Sequence, residues 1–484
     1  MNKRLILKLS GSVMLVEGAL LFVPLIVSLA LRGGDWTAFA LTIAIAVVLG
    51  ALLSQLKPRD DTLSAREGYA VVTLSWLFVS LIGALPFYFS GAVKSPVDCL
   101  FETVSGFTTT GATILTNVEA LPKGLLMWRS LTHWAGGMGV LVLSLAVIPK
   151  MGGRSIYLMR AESSGPSTEK LVPRVGKTAK ILFQLYIGMS LILLVVLLLS
   201  GVNWYDSLIH MFGAAGTGGF SNYNASVAQL NNPVAEIVLG VFMVLFGINF
   251  AIYYHIIHRN WTTLKQGSEW KLYLCIVTAA TLFIAINIST LPKFRGDFGH
   301  ALRASFFQVS SIITTTGYAT EDFNQWPQFS RVLLLLLMAV GGCAGSTAGG
   351  LKVIRIQLLF KSVARDIRKT VHPRSVNVIK LDGRALDEKL ISGVQGYFFA
   401  AMMIVMLATV AVSVNNFDFE TSFTAVIATF FNIGPGLGLV GPSGNFAIFS
   451  PLSKLVLTLC MLLGRLEIFP VLFLFAPSVW KRKR

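Results

Sequence analysis

The chain is 484 residues long, 54% hydrophobic and only 13% charged, with a mean hydropathy of +0.70. Soluble domains carry about 25% charged residues, so this composition excludes an ordinary soluble enzyme and describes a polytopic membrane protein. The net charge of +17 fits nucleic acid or anionic lipid, and its distribution along the chain favours the membrane.

The first residues, MNKRLILKLSGSVMLVEGALLFVPLIVSLAL, open like a signal peptide. The apolar run is longer than a signal h-region and has no small-residue cleavage site, so it reads as a retained first span. Runs long enough to cross a bilayer lie near 5–31, 36–56, 68–90, 122–148, 180–201, 233–257, 270–291, 331–361, 389–414 and 450–477, ten spans in all. With the N-terminus inside, thirty of the forty Lys and Arg residues fall on the cytoplasmic side and eight outside. The cytoplasmic set includes Lys150–Lys180, Lys352–Lys389 and the closing KRKR. That bias places both termini in the cytoplasm.

After the second span the chain repeats a unit of span, short semi-apolar segment, Thr/Gly loop and span. The short segments are SPVDCLFETVSGF, NWYDSLIHMFGA, FGHALRASFFQVSSI and DFETSFTAVIATFF. They are too short to span and read as re-entrant helices. The loops are TTTGA (108–112), GTGGF (216–220), TTTGY (314–318) and NIGPG (432–436). With Gly111, Gly218, Gly317 and Gly434 taken as equivalent, the spacings are 107, 99 and 117 residues. A repeat near one hundred residues implies four copies of one unit around an axis.

Non-helical backbone at membrane depth is tolerated where it lines a water-filled path or is buried in protein. Rings of backbone carbonyls from Thr/Gly loops can replace the hydration shell of K+. Glycine supplies the backbone angles that such rings need. The candidate filter is therefore Thr109, Thr110 and Gly111; Gly216, Thr217 and Gly218; Thr315, Thr316 and Gly317; and Asn432, Ile433 and Gly434. The transported K+ is held at Thr110, Gly111, Thr217, Gly218, Thr316, Gly317, Ile433 and Gly434. The competing reading is that the loops are packing turns between helices.

The eighth run, RVLLLLLMAVGGCAGSTAGGLKVIRIQLLF, carries five glycines at mid-span, each costing a helix about 1 kcal/mol relative to alanine. A break is expected there, with close packing through small residues as the alternative. In the last run LGRLEIFP buries Arg465, which must face a cavity or a partner. Glu467, two residues on, faces elsewhere. Arg465 either donates to the carbonyls of the glycine loop or forms an ion pair with Glu102 or another acid.

His133 reads as packing. Asp98, Asp206 and Glu420 lie near the starts of re-entrant helices, where they complement the positive helix end or draw cations to an outer vestibule. The four cysteines, Cys99, Cys275, Cys343 and Cys460, show no metal-ligand spacing and read as buried apolar residues. No HExxH, Walker loop or GxSxG elbow is present in the sequence, so no enzyme and no bound organic cofactor are expected.

The motifs TTTGA, GTGGF, TTTGY, NIGPG, GGCAGSTAGG and GRLEIFP resemble the Trk/Ktr/HKT superfamily of potassium transporters along the whole chain. The two extra N-terminal spans are similar to the bacterial Trk potassium-uptake type (TrkH/TrkG). The resemblance implies an all-α membrane protein in which two N-terminal helices precede four helix–re-entrant loop–helix repeats in pseudo-fourfold arrangement around one pore. The implied division is 1–66 for the extra helices and 67–160, 161–265 and 266–362 for repeats one to three. A cytoplasmic linker at 363–388 and repeat four at 389–484 follow. It further implies a homodimer in the bacterial inner membrane, K+ preference through Gly111, and a cytoplasmic TrkA-type nucleotide-binding regulator, with no nucleic acid partner. Gly341, Gly342, Gly345, Ser346, Thr347, Gly349, Gly350 and Arg465 would form the gate, Ala348 standing where some relatives carry glycine. The basic segment from Lys352 to Lys389 suits the regulator or anionic lipid. The alternative function is a proton- or sodium-coupled carrier working by alternating access.

Overall fold

The computed structural model describes residues 2–58, 65–139, 175–375 and 377–475. Among these, six helices are long and apolar enough to cross a membrane: Lys3–Ala30, Trp36–Ser54, Arg66–Phe89, Thr178–Leu199, Glu269–Ile288 and Glu388–Asn415. The first is interrupted at Leu21, next to the backbone hydrogen bond that Pro24 cannot donate. Outward-facing positions such as Leu191, Ile192, Val195, Phe399, Leu407 and Val410 are exposed and apolar, whereas His133, His210, Glu102 and most of the loop threonines are buried. The exposed apolar surface suits lipid, while the interior combines an apolar core with these buried polar groups.

The ten-span expectation needs correction at the runs that follow the Thr/Gly loops. Their helices are Lys123–Gly137, Pro233–Phe246, Gln328–Val340 and Pro451–Arg465, only 13–15 residues each. The second is followed by Phe250–Ile257 at a 91° bend, set by Gly247 at the end of one helix and by Asn249, whose side chain caps the next. The third stops at Gly341, where φ is +77°. The fourth stops before Glu467 and Ile468, which hold φ values of +59° and +60°, and resumes as Phe469–Phe475. The part of the first run at 140–148, the segment 150–174, the repeat boundary at 160–161 and the KRKR tail lie outside the described residues.

Four short helices, Pro96–Phe107, Trp204–Gly216, Phe298–Ile313 and Phe419–Phe430, are buried over most of their length. Each starts from a side-chain cap three residues ahead of the amide it accepts from: Ser95 to Asp98, Asn203 to Asp206, Asp297 to His300 and Asp418 to Thr421. Capping thus falls to residues upstream of Asp98, Asp206 and Glu420. Asp98 pairs with Lys454 at 2.7 Å and Glu420 with Arg331. Asp206 accepts from Asn222 at 2.8 Å and Tyr223 at 2.7 Å.

The interrupted helices pack backbone to backbone against the short ones. A Cβ at Gly136 would lie 1.8 Å from the carbonyl oxygen of Phe107, and one at Gly464 1.8 Å from that of Phe430. Glycine at these two crossings therefore sets the helix separation. Helix Val353–Val371 runs through position 363, where the linker was expected to start, and a hairpin pairs Lys380–Leu381 with Arg384–Ala385. Cys99, Cys343 and Cys460 are buried as expected, whereas Cys275 is exposed.

Candidate functional site

Each short helix ends in the same backbone construction. The amides of Thr110, Gly218, Thr316 and Ile433 bond back five residues, to Ser105, Gly213, Ser311 and Ala428, at 2.8–2.9 Å. The preceding residues, Thr109, Thr217, Thr315 and Asn432, hold φ between +54° and +58°, and the following glycines, Gly111, Gly219, Gly317 and Gly434, hold +80°, +76°, +83° and +98°. The register of the second loop is thereby corrected by one residue. Gly219, not Gly218, matches Gly111, and Gly216 is the last residue of its short helix. GTGGF offers two adjacent glycines, and the backbone angle and the neighbours each would meet tell them apart.

The four loops meet in a closed ring. A Cβ at Gly111 would lie 2.0 Å from the Gly218 carbonyl oxygen, one at Gly219 1.9 Å from that of Thr316, one at Gly317 2.1 Å from that of Ile433, and one at Gly434 2.8 Å from that of Thr110. Positive φ and this crowding both require glycine there. Gly111, Gly219, Gly317 and Gly434 all line one cavity together with Arg129 and Phe220. The threonines and Asn432 are buried, and Asn432 departs from the threonine pattern. Its amide donates to Thr110 Oγ1 at 2.9 Å and to the Met461 carbonyl at 3.1 Å.

The glycine-rich segment between Val340 and Val353 is a loop, with Gly341, Gly345 and Gly350 at φ +77°, +73° and +80°. It lies against the ring residues. The amide of Gly349 donates to Thr315 Oγ1 at 2.7 Å and that of Gly350 to the Phe431 carbonyl at 3.1 Å. Gly342 faces the bend at Gly247, where the amide of Cys343 reaches the Gly247 carbonyl at 2.9 Å, and Ser346 Oγ donates to the Cys343 carbonyl at 2.6 Å. Thr347 is buried with its hydroxyl on the Phe246 carbonyl at 3.3 Å. Arg465 donates to the carbonyls of Thr347 at 3.0 Å, Gly136 at 2.5 Å and Gly137 at 2.8 Å.

Glu102, the acid named as a possible partner of Arg465, is engaged elsewhere, and Glu467 faces another partner as its spacing implied. Glu102 pairs with Arg129 at 2.8 Å and Glu467 with Arg355 at 2.5 Å. His133 packs on Phe220 and contacts the Gly106 carbonyl at 2.8 Å, in line with its sequence reading.

Three residues at this site escaped the sequence reading. Glu269 accepts from the amides of Ala344 at 2.7 Å and Ile354 at 3.2 Å, pinning both ends of the loop. Its position at the start of a span gave no signal. Lys352, counted above as cytoplasmic, is 2% exposed with φ +76° and donates to the Ala348 carbonyl at 2.5 Å. Arg355, counted the same way, is buried with its guanidinium 4.0 Å from the centre of the Tyr397 ring. Two basic residues inside the interrupted eighth run were the available clue.

Known proteins resemble the chain over its full length. It is 36% identical over 489 residues to the Trk system potassium uptake protein TrkH of Escherichia coli K12, covering 99% of this chain and all of that one. It is 34% identical to the TrkH of Halomonas elongata, covering both chains fully, and 32% identical to the TrkG of Escherichia coli K12, over 95% and 94% of the two chains. The crystal structure of the potassium transporter TrkH from Vibrio parahaemolyticus superimposes with a TM-score of 0.89 at 31% identity, covering 99% of this chain and all of that one. The family profile of TrkH, a cation transport protein, matches residues 36–271 and 269–482. The chain therefore belongs to the TrkH family of cation transport proteins and is a multi-pass membrane protein of a transport family rather than an enzyme.

Proposed function

We propose that the chain carries K+ into the cell through one pore whose filter is the ring of four loops. The observation that carries this reading is the cyclic contact of each loop glycine with the carbonyl of the next loop, Gly111 to Gly218, Gly219 to Thr316, Gly317 to Ile433 and Gly434 to Thr110. Backbone held so closely on all sides presents rings of carbonyl oxygen, which suit a larger, weakly hydrated cation. The same contacts and the four matching helix ends support a pseudo-fourfold arrangement of the repeats. The relatives' naming as potassium uptake proteins supports K+ as the transported ion.

In this reading the loop from Gly341 to Gly350 lies under the ring and closes it, with Arg465 as its latch. The protein works as a homodimer in the bacterial inner membrane with both termini cytoplasmic, and a TrkA-type nucleotide-binding subunit releases the loop from the cytoplasmic side. The carrier alternative draws on the interrupted helices, a feature of alternating-access proteins. Reconstitution in liposomes with flux measured for K+, Rb+, Na+ and Li+ tests the proposal. Flux of K+ and Rb+ well above Na+ and Li+, without any imposed proton or sodium gradient, is expected. Equal flux of all four ions would overturn the filter, and an absolute need for a second ion gradient would favour the carrier.

A further inference from the structure

The corrected register exposes a second repeated feature. Nine residues before Gly111, Gly219, Gly317 and Gly434 stand Glu102, His210, Gln308 and Ala425. The first three are buried polar side chains, and each reaches across to the strand leaving its own loop. Glu102 accepts from the amide of Ile114 and from Thr113 Oγ1, both at 3.0 Å. His210 Nε2 lies 3.2 Å from Ser221 Oγ. Gln308, its amide turned as its neighbours require, accepts from the amides of Thr320 at 2.9 Å and Glu321 at 3.2 Å.

Ala425 cannot do this, and the adjacent Thr424 takes its place. Thr424 Oγ1 accepts from the amide of Leu437 at 2.9 Å and donates to the Leu437 carbonyl at 3.2 Å. Ile114, Thr320 and Leu437 all stand three residues past the loop glycine, and Thr113 and Ser221 two past it. Four chemically different side chains thus make one connection. Packing alone gives no reason for them to aim at matching positions, since buried polar groups can be satisfied in many ways. Arg129 ties two copies together, binding Glu102 at 2.8 Å and the Ser221 carbonyl of the second loop at 3.1 Å.

We propose that Glu102, His210, Gln308 and Thr424 are struts that hold the exit strands and so fix the width of the outer carbonyl ring, setting the ratio of Na+ to K+ passage. They are positioning residues, acting through the backbone rather than on the ion. The proposal rests on the filter reading of the loops. A ring that relaxes inward accommodates the smaller ion better, so removal of a strut acts on the ratio before it acts on total flux.

The test uses nearly isosteric changes in the full-length protein. Thr424→Val and Gln308→Met delete the acceptor, and Thr424→Ser keeps it. In liposomes, with flux normalised to monodisperse protein, the first two should raise the Na+:K+ ratio by about fivefold, the factor that about 1 kcal/mol of hydrogen bonding represents. Thr424→Ser should return the parent ratio. If the parent selects K+ and both deletion variants keep its ratio, the struts are overturned and the filter stands. Lower total flux at an unchanged ratio counts against the struts equally, since a purely structural role gives that result. A parent that passes Na+ and K+ equally overturns filter and struts together.

Discussion

Arg465 donates to the carbonyl of Thr347 at 3.0 Å across 118 residues of sequence. The same guanidinium reaches Gly136 and Gly137, at the end of the helix that packs on the first short helix. One side chain therefore joins the glycine loop to the frame around the ring. Arginine suits this role because its planar fork carries five donors and keeps its charge.

Replacing Arg465 with alanine should raise basal K+ flux when no partner subunit is present. Charge-assisted hydrogen bonds contribute about 1.5–3 kcal/mol each, and the loss of one such bond shifts a closed–open equilibrium by about tenfold or more. Liposome flux normalised to folded protein measures this. A well-folded Arg465→Ala protein with flux at or below the parent level would remove Arg465 from the latch.

Glu269 makes a separable prediction. Glu269→Ala leaves the amides of Ala344 and Ile354 without their acceptor, an expected loss of about 1–3 kcal/mol for a buried donor. Thermal unfolding in detergent should show a lower Tm, and basal flux should rise because both ends of the loop are released. Glu269→Gln keeps an acceptor oxygen and should recover most of both. A Tm and flux equal to the parent in Glu269→Ala would show that the loop is held without it.

The register of the second loop is testable by substitution at adjacent glycines. Gly219→Ala places an L-residue at φ +76° with its Cβ 1.9 Å from the Thr316 carbonyl oxygen. The left-handed angle alone costs roughly 1–2 kcal/mol, and the clash falls on a ring carbonyl, so K+ over Na+ preference should fall. Gly218→Ala directs its clash at the His133 ring, 2.2 Å away, and should lower folded yield more than selectivity. Gly111→Ser should act like Gly219→Ala and raise relative Na+ flux. Equal selectivity loss at Gly218 and Gly219 would return the register to an open question.

On the far side of the loop, Arg368 and Lys369 are exposed on helix Val353–Val371. Arg365 is already engaged with Glu388 at 2.8 Å and Asp366 at 3.0 Å, and these carboxylates raise its pKa further. Neutralising Arg368 and Lys369 together should weaken co-purification with a TrkA-type subunit, whereas Arg365→Gln should act mainly on the local helix contact with Glu388. Unchanged association of the double variant, with reduced binding to anionic vesicles, would assign the segment to lipid.

Much of this was legible in the chain itself. Apolar run length identified the membrane class, because the thickness of a bilayer imposes a length on any helix that crosses it. The four Thr/Gly loops could be found because each follows a short amphipathic segment, and the break near Gly341 because glycine is a poor helix former. That Arg465 finds acceptors could be read because an arginine in an apolar run must do so.

Other features were decided only by tertiary contact. Composition marks Gly218 and Gly219 alike, and it is the packing of Gly219 on Thr316 that separates them. The breaks after Gly247 and Arg465 fall inside long, mostly apolar runs whose hydropathy alone would carry a helix through, and the backbone angles at Glu467 and Ile468 become visible only in the fold. Lys352 and Arg355 look like cytoplasmic charges until the fold turns them inward onto Ala348 and Glu467. Charge and hydropathy are properties of single residues and short windows, whereas a partner such as Thr347, 118 residues from Arg465, exists only once the chain has closed on itself.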